Sequence, residues 1–208
     1  MAIHSFDELT SMEIDTLREI GSIGTGNAAT ALSQMMNRPV RITLPEVRIM
    51  EYNEAIEWIG GPEEVTAGIL VKMSGDVGGI MLSVQKLDLV NVVLSTMLGE
   101  SIDSYENLTE LERSAMIEIG NIMISTFINA MSGLADLNIK LTVPAFAVDM
   151  QGAILTVPMA EYGGMSNYLM AIGGNFVCDG KEVPCHLLLS PDLRSLDFLL
   201  RKLGVTDV

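Results

Sequence analysis

The sequence has few basic residues, and this shortage excludes two classes of partner. Its 208 residues include 12 Lys and Arg against 27 Asp and Glu, which gives a formal net charge of −15. Nucleic acids and anionic membranes both require a surface rich in Lys and Arg. We therefore expect no nucleic-acid partner and no membrane partner.

Cysteine and histidine are also scarce. The chain contains two cysteines, Cys178 and Cys185, and two histidines, of which only His186 lies beside a cysteine. This set falls short of the donor clusters that hold zinc, so the sequence predicts no metal and no cofactor of its own. Residues 1–7 lack the basic and apolar segments of a secretory signal. A cytoplasmic location with reduced thiols is therefore expected.

The sequence has no uninterrupted apolar stretch of membrane-spanning length. Two of the longest uncharged stretches, residues 20–37 and 119–135, contain Asn, Ser, Thr and Gly and are typical of buried helices. The first contains Gly24-Thr-Gly26-Asn-Ala-Ala29, which is spaced like a dinucleotide-binding fingerprint. That fingerprint requires a preceding strand, whereas a capped amphipathic segment precedes it here. We therefore attribute Gly21, Gly24 and Gly26 to close helix packing.

Residues 108–123 carry the most informative pattern in the chain. If this stretch is helical, Ser114, Glu118 and Asn121 lie at i, i+4 and i+7 and project from one face. Thr109 and Glu112 form a capping-box pattern, which predicts that a helix begins there. Behind the polar face, the spacing predicts a buried apolar stripe of Leu111, Ala115, Ile119, Ile122 and Met123.

The same pattern occurs earlier in the chain. Thr10 and Glu13 form a second capping box, and Asp15, Glu19 and Ser22 repeat the polar face. Each residue precedes its counterpart by 99 positions (114 − 15, 118 − 19, 121 − 22), as Pro45 precedes Pro144 (144 − 45). A coincidence of this kind without gaps indicates an internal duplication. We expect one domain over residues 1–208, made of repeats at about 8–100 and 107–204.

Periodicity and turn residues predict that each half contains a long helix, strands, a hairpin and a closing helix. Helices are predicted over residues 11–36, 51–60, 85–98, 110–134 and from 191 or 192 to 203. Strands are predicted over residues 40–50 with a break at Pro45, 65–74, 78–84, 140–143, 145–150, 153–157, 168–172 and 187–189, with Gly173 and Gly174 in a loop. Two such halves can share one sheet about a pseudo-twofold axis, which predicts an α/β (α+β) fold.

The spacing Ser114-x3-Glu118-x2-Asn121-x22-Pro144 resembles the signature of the CheC, CheX and FliY phosphatases of bacterial and archaeal chemotaxis. The earlier spacing, from Asp15 to Pro45, resembles a second copy of it. One departure is that Ser22 stands where the family pattern has Asn. The resemblance covers nearly the whole chain, and it implies a largely antiparallel sheet with the two signature helices packed on it.

The resemblance also implies an activity, which is hydrolysis of the aspartyl phosphate of the response regulator CheY. The regulator supplies Mg²⁺ and a lysine, so the phosphatase contributes mainly the positioning of water. The implied catalytic residues are Glu118 and Asn121, with Glu19 and Ser22 in the first copy. The implied supporting residues are Ser114, Pro144, Asp15 and Pro45.

The sequence leaves two alternatives for the first copy, hydrolysis or docking alone, because the Ser22 side chain is shorter than that of Asn and has no amide to present at the same point. Docking of the regulator can survive there without water positioning.

Two other functions compete with this interpretation. CheC proteins bind the receptor deamidase CheD, and Asp149 resembles the acid that makes this contact. Asp149 is equally compatible with an ordinary acid on an edge strand. A flagellar switch protein like FliY is the third possibility, although such chains carry an additional C-terminal domain. Without the duplication, Glu and Asn on a helix face would be read as solvated residues.

Overall fold

A computed structural model describes residues 9–162 and 168–205, apart from the side chains of residues 44, 45, 162 and 193. The helices are α1 (Ser11–Met36), α2 (Tyr52–Ile59), α3 (Leu87–Met97), α4 (Glu110–Ala135), α5 (Gln151–Tyr162) and α6 (Leu193–Lys202). The strands are β1 (Val40–Glu51), β2 (Val65–Gly75), β3 (Gly79–Gln85), β4 (Ile139–Leu141), β5 (Ala145–Met150), β6 (Tyr168–Cys178) and β7 (Lys181–Pro191).

The seven strands of the described residues belong to one antiparallel sheet of order β1-β6-β7-β3-β2, with β4 and β5 both paired to β2. The order is symmetric about the β3–β7 pair, because β1 joins the hairpin of the second half and β5 joins that of the first. Each half therefore completes the sheet of the other. The predicted fold class, an α/β fold with a shared antiparallel sheet, is confirmed.

Residues alternate between the two faces of the sheet, and each face is covered by helices. One core contains Leu17 of α1 and Phe127 of α4 together with sheet residues such as Leu187. A separate core contains Ala55 of α2 and Leu155 of α5. The two signature helices thus share one face of the sheet, as the family resemblance implies.

Both signature helices begin at the predicted capping boxes. The Thr109 backbone N–H donates to Glu112 Oε2 at 2.7 Å, and the Glu112 N–H donates to Thr109 Oγ1 at 3.2 Å. Thr10 and Glu13 make the same two bonds at 2.7 and 3.4 Å. Each box satisfies N–H groups that the first helical turn leaves unpaired. Helices α1 and α4 are both 26 residues long, so the two copies present equivalent rods.

Glycines allow these helices to approach their neighbours closely. A Cβ atom on Gly24 would lie 3.0 Å from the Cα atom of Phe127, so α1 and α4 touch there. A Cβ atom on Gly21 would lie 2.5 Å from Val47 Cγ2 in β1. The interpretation of close packing is correct for these two glycines. It is wrong for Gly26, which is exposed and has no such neighbour within 4 Å among the described residues.

Residues 153–157, predicted as a strand, lie within helix α5. The run Ile154-Leu-Thr-Val157 favours a strand by composition, but Ile154 and Leu155 are buried against the sheet, and this packing outweighs the local preference. The first residue of α5, Gln151, follows Tyr52, the first residue of α2, by 99 positions (151 − 52). The helix is therefore the duplicate of α2.

Two predicted interruptions of strands are also wrong. Gly173 and Gly174 lie inside β6 rather than in a loop. A Cβ atom on Gly173 would overlap the Trp58 ring, so the glycine is needed for packing rather than for a turn. Strand β1 continues through Pro45, with a register shift between Thr43 and Glu46 in place of a break.

Of the described helices, none combines the length and the hydropathy that a membrane-spanning segment requires.

Candidate functional site

The polar face of α4 lies at the surface, because Gly120 sets the rotation of the helix. A Cβ atom on Gly120 would lie 2.8 Å from Ile69 Cβ in β2, so this position faces the sheet. Each helical residue turns by about 100°, which places Glu118 about 200° and Asn121 about 100° from Gly120. Glu118 therefore points away from the sheet and Asn121 sideways, in agreement with an exposed Glu118 and a half-buried Asn121.

The side chains of Glu118 and Asn121 are free to bind another molecule. Within the part of the chain that the structure describes, neither side chain makes a hydrogen bond or an ion pair. Residues at i and i+3 on a helix have Cβ atoms about 5–6 Å apart, so the carboxylate and the amide can contact the same small group. Ser114, one turn before Glu118, is exposed on the same face.

Next to this face, helix α4 contacts strand β5 through Arg113 and Phe146. The Arg113 guanidinium lies 5.0 Å from the centroid of the Phe146 ring, so a cation of α4 packs on a side chain of β5. Pro144 is half-buried and lies between β4 and β5, two residues before Phe146. The structure thus places the supporting residue Pro144 in the segment that leads into the strand beneath α4.

Leu111 lies on this face, so its predicted place in the buried stripe is wrong. It is 62% exposed, whereas Ala115, Ile119 and Met123 are buried. Leu111 precedes Ser114 by three positions and Glu118 by seven, which is the spacing of one helix face. Its spacing would therefore have placed it with the polar residues. The apolar side chain adds contact surface next to them.

The first copy presents the same face on α1. Asp15, Glu19 and Ser22 are all exposed. The Arg18 guanidinium donates to Asp15 Oδ1 at 2.8 Å, an exposed ion pair worth about 0–1 kcal/mol. Pro45 lies in β1, and its side chain is among those outside the described residues. This face carries an acid at Glu19 but offers no amide at Ser22.

Asp149 lies on β5 and is exposed. Its Oδ1 atom accepts a hydrogen bond from the neighbouring Met150 N–H at 2.7 Å, and its pairing partner across the sheet is Thr66. Strand β5 pairs with β2 on one side, and no described strand pairs with its other side. The carboxylate is therefore accessible along an open edge of the sheet.

The chain offers no activated thiol. Cys185 is buried, and this burial raises the pKa of its thiol to about 12. Burial also raises the pKa of Cys178. Only a thiolate is a good nucleophile, so both thiols are inert at neutral pH. Among the residues that the structure describes, no three His, Cys, Asp or Glu side chains are grouped to hold a metal ion.

A separate cavity of about 480 Å³ lies on the opposite face of the sheet, next to Trp58 of α2. His186 borders it and is 7% exposed, and its buried Nδ1 atom has no hydrogen-bond partner in the part of the chain that the structure describes. The His186 and Trp58 rings are perpendicular, with centroids 5.2 Å apart. Burial, together with the charge of Lys86, lowers the pKa of His186 to about 4. The imidazole is therefore neutral at pH 7.

Comparison with known proteins finds one family model that matches two segments of the chain. The model of the CheC-like family matches residues 12–49 and 111–148, two segments that begin 99 positions apart (111 − 12). The chain belongs to the CheC-like family. It is 26% identical to the protein named CheY-P phosphatase CheC of Bacillus subtilis over 205 residues, which cover 97% of this chain and 98% of the relative.

Solved structures share the fold of this CheC-like protein. FliY from Thermotoga maritima aligns with a TM-score of 0.74 and 21% identity, covering 95% of this chain and 98% of that chain. A chain from the CheX–CheY–BeF3–Mg²⁺ complex of Borrelia burgdorferi aligns with a TM-score of 0.50 and 16% identity, covering 86% and 99%. At these identities the likeness establishes the fold alone.

Proposed function

We propose that this CheC-like protein is a phosphatase of a phosphorylated CheY-type response regulator. The observation that carries the proposal is the exposed Glu118 and the half-buried Asn121 on one capped helix, neither with a hydrogen-bond partner among the described residues. The similarity to a relative named CheY-P phosphatase supports the choice of substrate. A chain of like fold also occurs in a structure together with CheY, BeF3 and Mg²⁺.

The chemistry that this face supports is the hydrolysis of an acyl phosphate held by the partner. The regulator supplies the phosphoaspartate, its Mg²⁺ and its lysine. The Asn121 amide holds a water molecule in line with the bond from phosphorus to the aspartate oxygen. The water oxygen forms a bond to phosphorus while the bond between phosphorus and the aspartate oxygen breaks. The water proton leaves with inorganic phosphate. The aspartate carboxylate is regenerated, and no covalent intermediate forms on this chain.

The other residues of the face orient the partner. The Glu118 carboxylate accepts hydrogen bonds from the regulator's lysine, which aligns the two proteins. Leu111 and Ser114 extend the contact toward the start of α4, and Pro144 directs the segment that supports Phe146 and Arg113. Because the helix is anchored on the sheet by Gly120, these groups are positioned before the partner binds.

The test is an assay of phosphate release from phosphorylated receiver domains. We expect the purified protein, at substoichiometric concentration and with Mg²⁺ present, to accelerate release above the receiver's own rate. The control is a receiver in which the phosphorylated aspartate is replaced by alanine, which removes the substrate. Unchanged release from every CheY-type receiver of the same source would contradict the proposal.

A second candidate function is the binding of CheD through Asp149. The exposure of this carboxylate on an open strand edge favours it. We expect the Asp149→Lys variant to lose capture of CheD in a pull-down assay, because the substitution reverses the charge at the contact. Asp103→Lys, a charge reversal at another exposed acid, is the control and should still capture CheD. Full capture by Asp149→Lys would remove this site.

A further inference from the structure

The duplication provides two versions of the same helix face for comparison. Helices α1 and α4 have the same length and the same N-terminal capping box, and each buried position of α1 corresponds to a buried position of α4. Met12 is 65% exposed and its counterpart Leu111 is 62% exposed. Single exposed apolar side chains are ordinary, but here one is exposed at the same position of both copies. The acid is also retained, since Glu19 and Glu118 are both exposed.

The two faces differ where the chemistry requires an amide. Ser22 is exposed at the position of Asn121, and its side chain ends at a hydroxyl one bond from Cβ. It has no carboxamide that could hold a water molecule at the distance Asn121 reaches. Removing one preorganised hydrogen-bond donor costs about 10²–10³ in rate, whereas contacts outside the reacting group affect binding. The α1 face therefore has the acid and the exposed apolar side chain that serve docking, but it lacks the amide that hydrolysis requires.

The charge beside the acid differs as well. Arg18 is paired with Asp15 on α1, whereas the equivalent of Arg18 on α4 is the apolar Ile117. The α1 face thus presents an ion pair where the α4 face presents the neutral Ser114. This difference alters the strength of docking, not the presence of the acid and the apolar anchor.

We propose that the α1 face is a second docking site for the phosphorylated regulator, which it binds without hydrolysing. This inference rests on the proposed function, because the partner is the one assigned to the α4 face. The consequence is a protein that holds two regulators per chain and dephosphorylates one. A regulator bound to the α1 face is not dephosphorylated by this chain while it stays bound there.

The first test measures binding stoichiometry with a receiver locked by beryllofluoride and Mg²⁺, using calorimetry or sedimentation. We expect two receivers per wild-type chain, one for Glu19→Lys, one for Glu118→Lys and none for the double variant. Glu57→Lys, at an exposed acid of α2 on the other side of the sheet, is the charge-reversal control and should bind two. One receiver per wild-type chain, or an unchanged count in Glu19→Lys, would overturn the proposal.

The second test separates docking from turnover. We expect Asn121→Ala to lose about 99% of phosphate release, a fall on the order of 10²-fold, while still binding two receivers. Adding Ser22→Asn to that variant should restore release by at least about tenfold, since it supplies the missing amide. Retention of about half of the release by Asn121→Ala, or no restoration by Ser22→Asn, contradicts the docking-only assignment while the phosphatase assignment stands. Absence of both binding and release in the wild type would instead reject the phosphatase function itself.

Discussion

Replacing Asn121 with alanine is expected to lower phosphate release on the order of 10²-fold, equivalent to about 3 kcal/mol in the activation free energy. The amide acts on the attacking water, so its loss should lower kcat more than it changes KM for the phosphorylated receiver. Single-turnover measurements of phosphate release, over a range of receiver concentrations, separate these two constants. The helix itself should be unaffected, because Asn121 makes no hydrogen bond within the described residues.

The matched control for this substitution is Asn129→Ala. Asn129 is exposed on the same helix, two turns further along, and lies outside the proposed face. Both variants remove one carboxamide from α4, so a shared loss of activity would point to the helix rather than to the site. Unchanged release by Asn121→Ala, with Glu118 intact, would contradict the assigned role of the amide.

Replacing His186 with leucine is expected to remove part of the acid sensitivity of the fold. The pKa of His186 is lowered from 6.5 to about 4 by burial and by Lys86. The unfolded chain therefore binds the proton more tightly, and the stability that the neutral imidazole contributes is complete above pH 6.5. It is lost as the pH falls through about 4, by up to about 3 kcal/mol. Urea unfolding of both proteins between pH 7 and pH 4 measures the difference.

The duplication indicates why leucine suits this position. Phe146, the counterpart of Val47, pairs with Ile69, while Val47 itself pairs with Ile172. These pairings make Ile69 the counterpart of Ile172, so Leu70, the next residue, is the counterpart of Gly173. Leu82 pairs with Leu70 and His186 pairs with Gly173, so Leu82 is the counterpart of His186.

His186→Gln, which is polar but does not titrate, should flatten the same pH dependence if the leucine variant fails to fold. Equal pH dependence of stability in the wild type and both variants would rule out the imidazole as the cause.

Local signals predicted the signature helices well. Thr10 and Thr109 each begin a capping box, and the hydrogen bonds of these boxes involve residues only three positions apart, so sequence suffices to locate them. The same holds for the outward direction of Glu118, which follows from helical periodicity. Leu111 is the exception, because its apolar side chain suggests burial whereas its helical position places it on the exposed face.

Local sequence patterns do not predict features that depend on contacts between distant residues. Residues 153–157 have the composition of a strand and become helix because Ile154 and Leu155 pack against the sheet. Gly173 is of a residue type that favours turns, but it lies within a strand. The Trp58 ring occupies the space that a side chain at position 173 would fill. In both cases the deciding contact joins residues far apart in the chain.

The sequence by itself determined that there are two copies of one capped helix, each with an acid facing outward and only the second with an amide. These properties depend on residue type and on spacings of a few positions. The tertiary structure alone decided how the helices are held, with Gly120 against Ile69 and with the edge strands exchanged between halves. Close contacts of this kind depend on side-chain volumes brought together from distant segments, which no local pattern records.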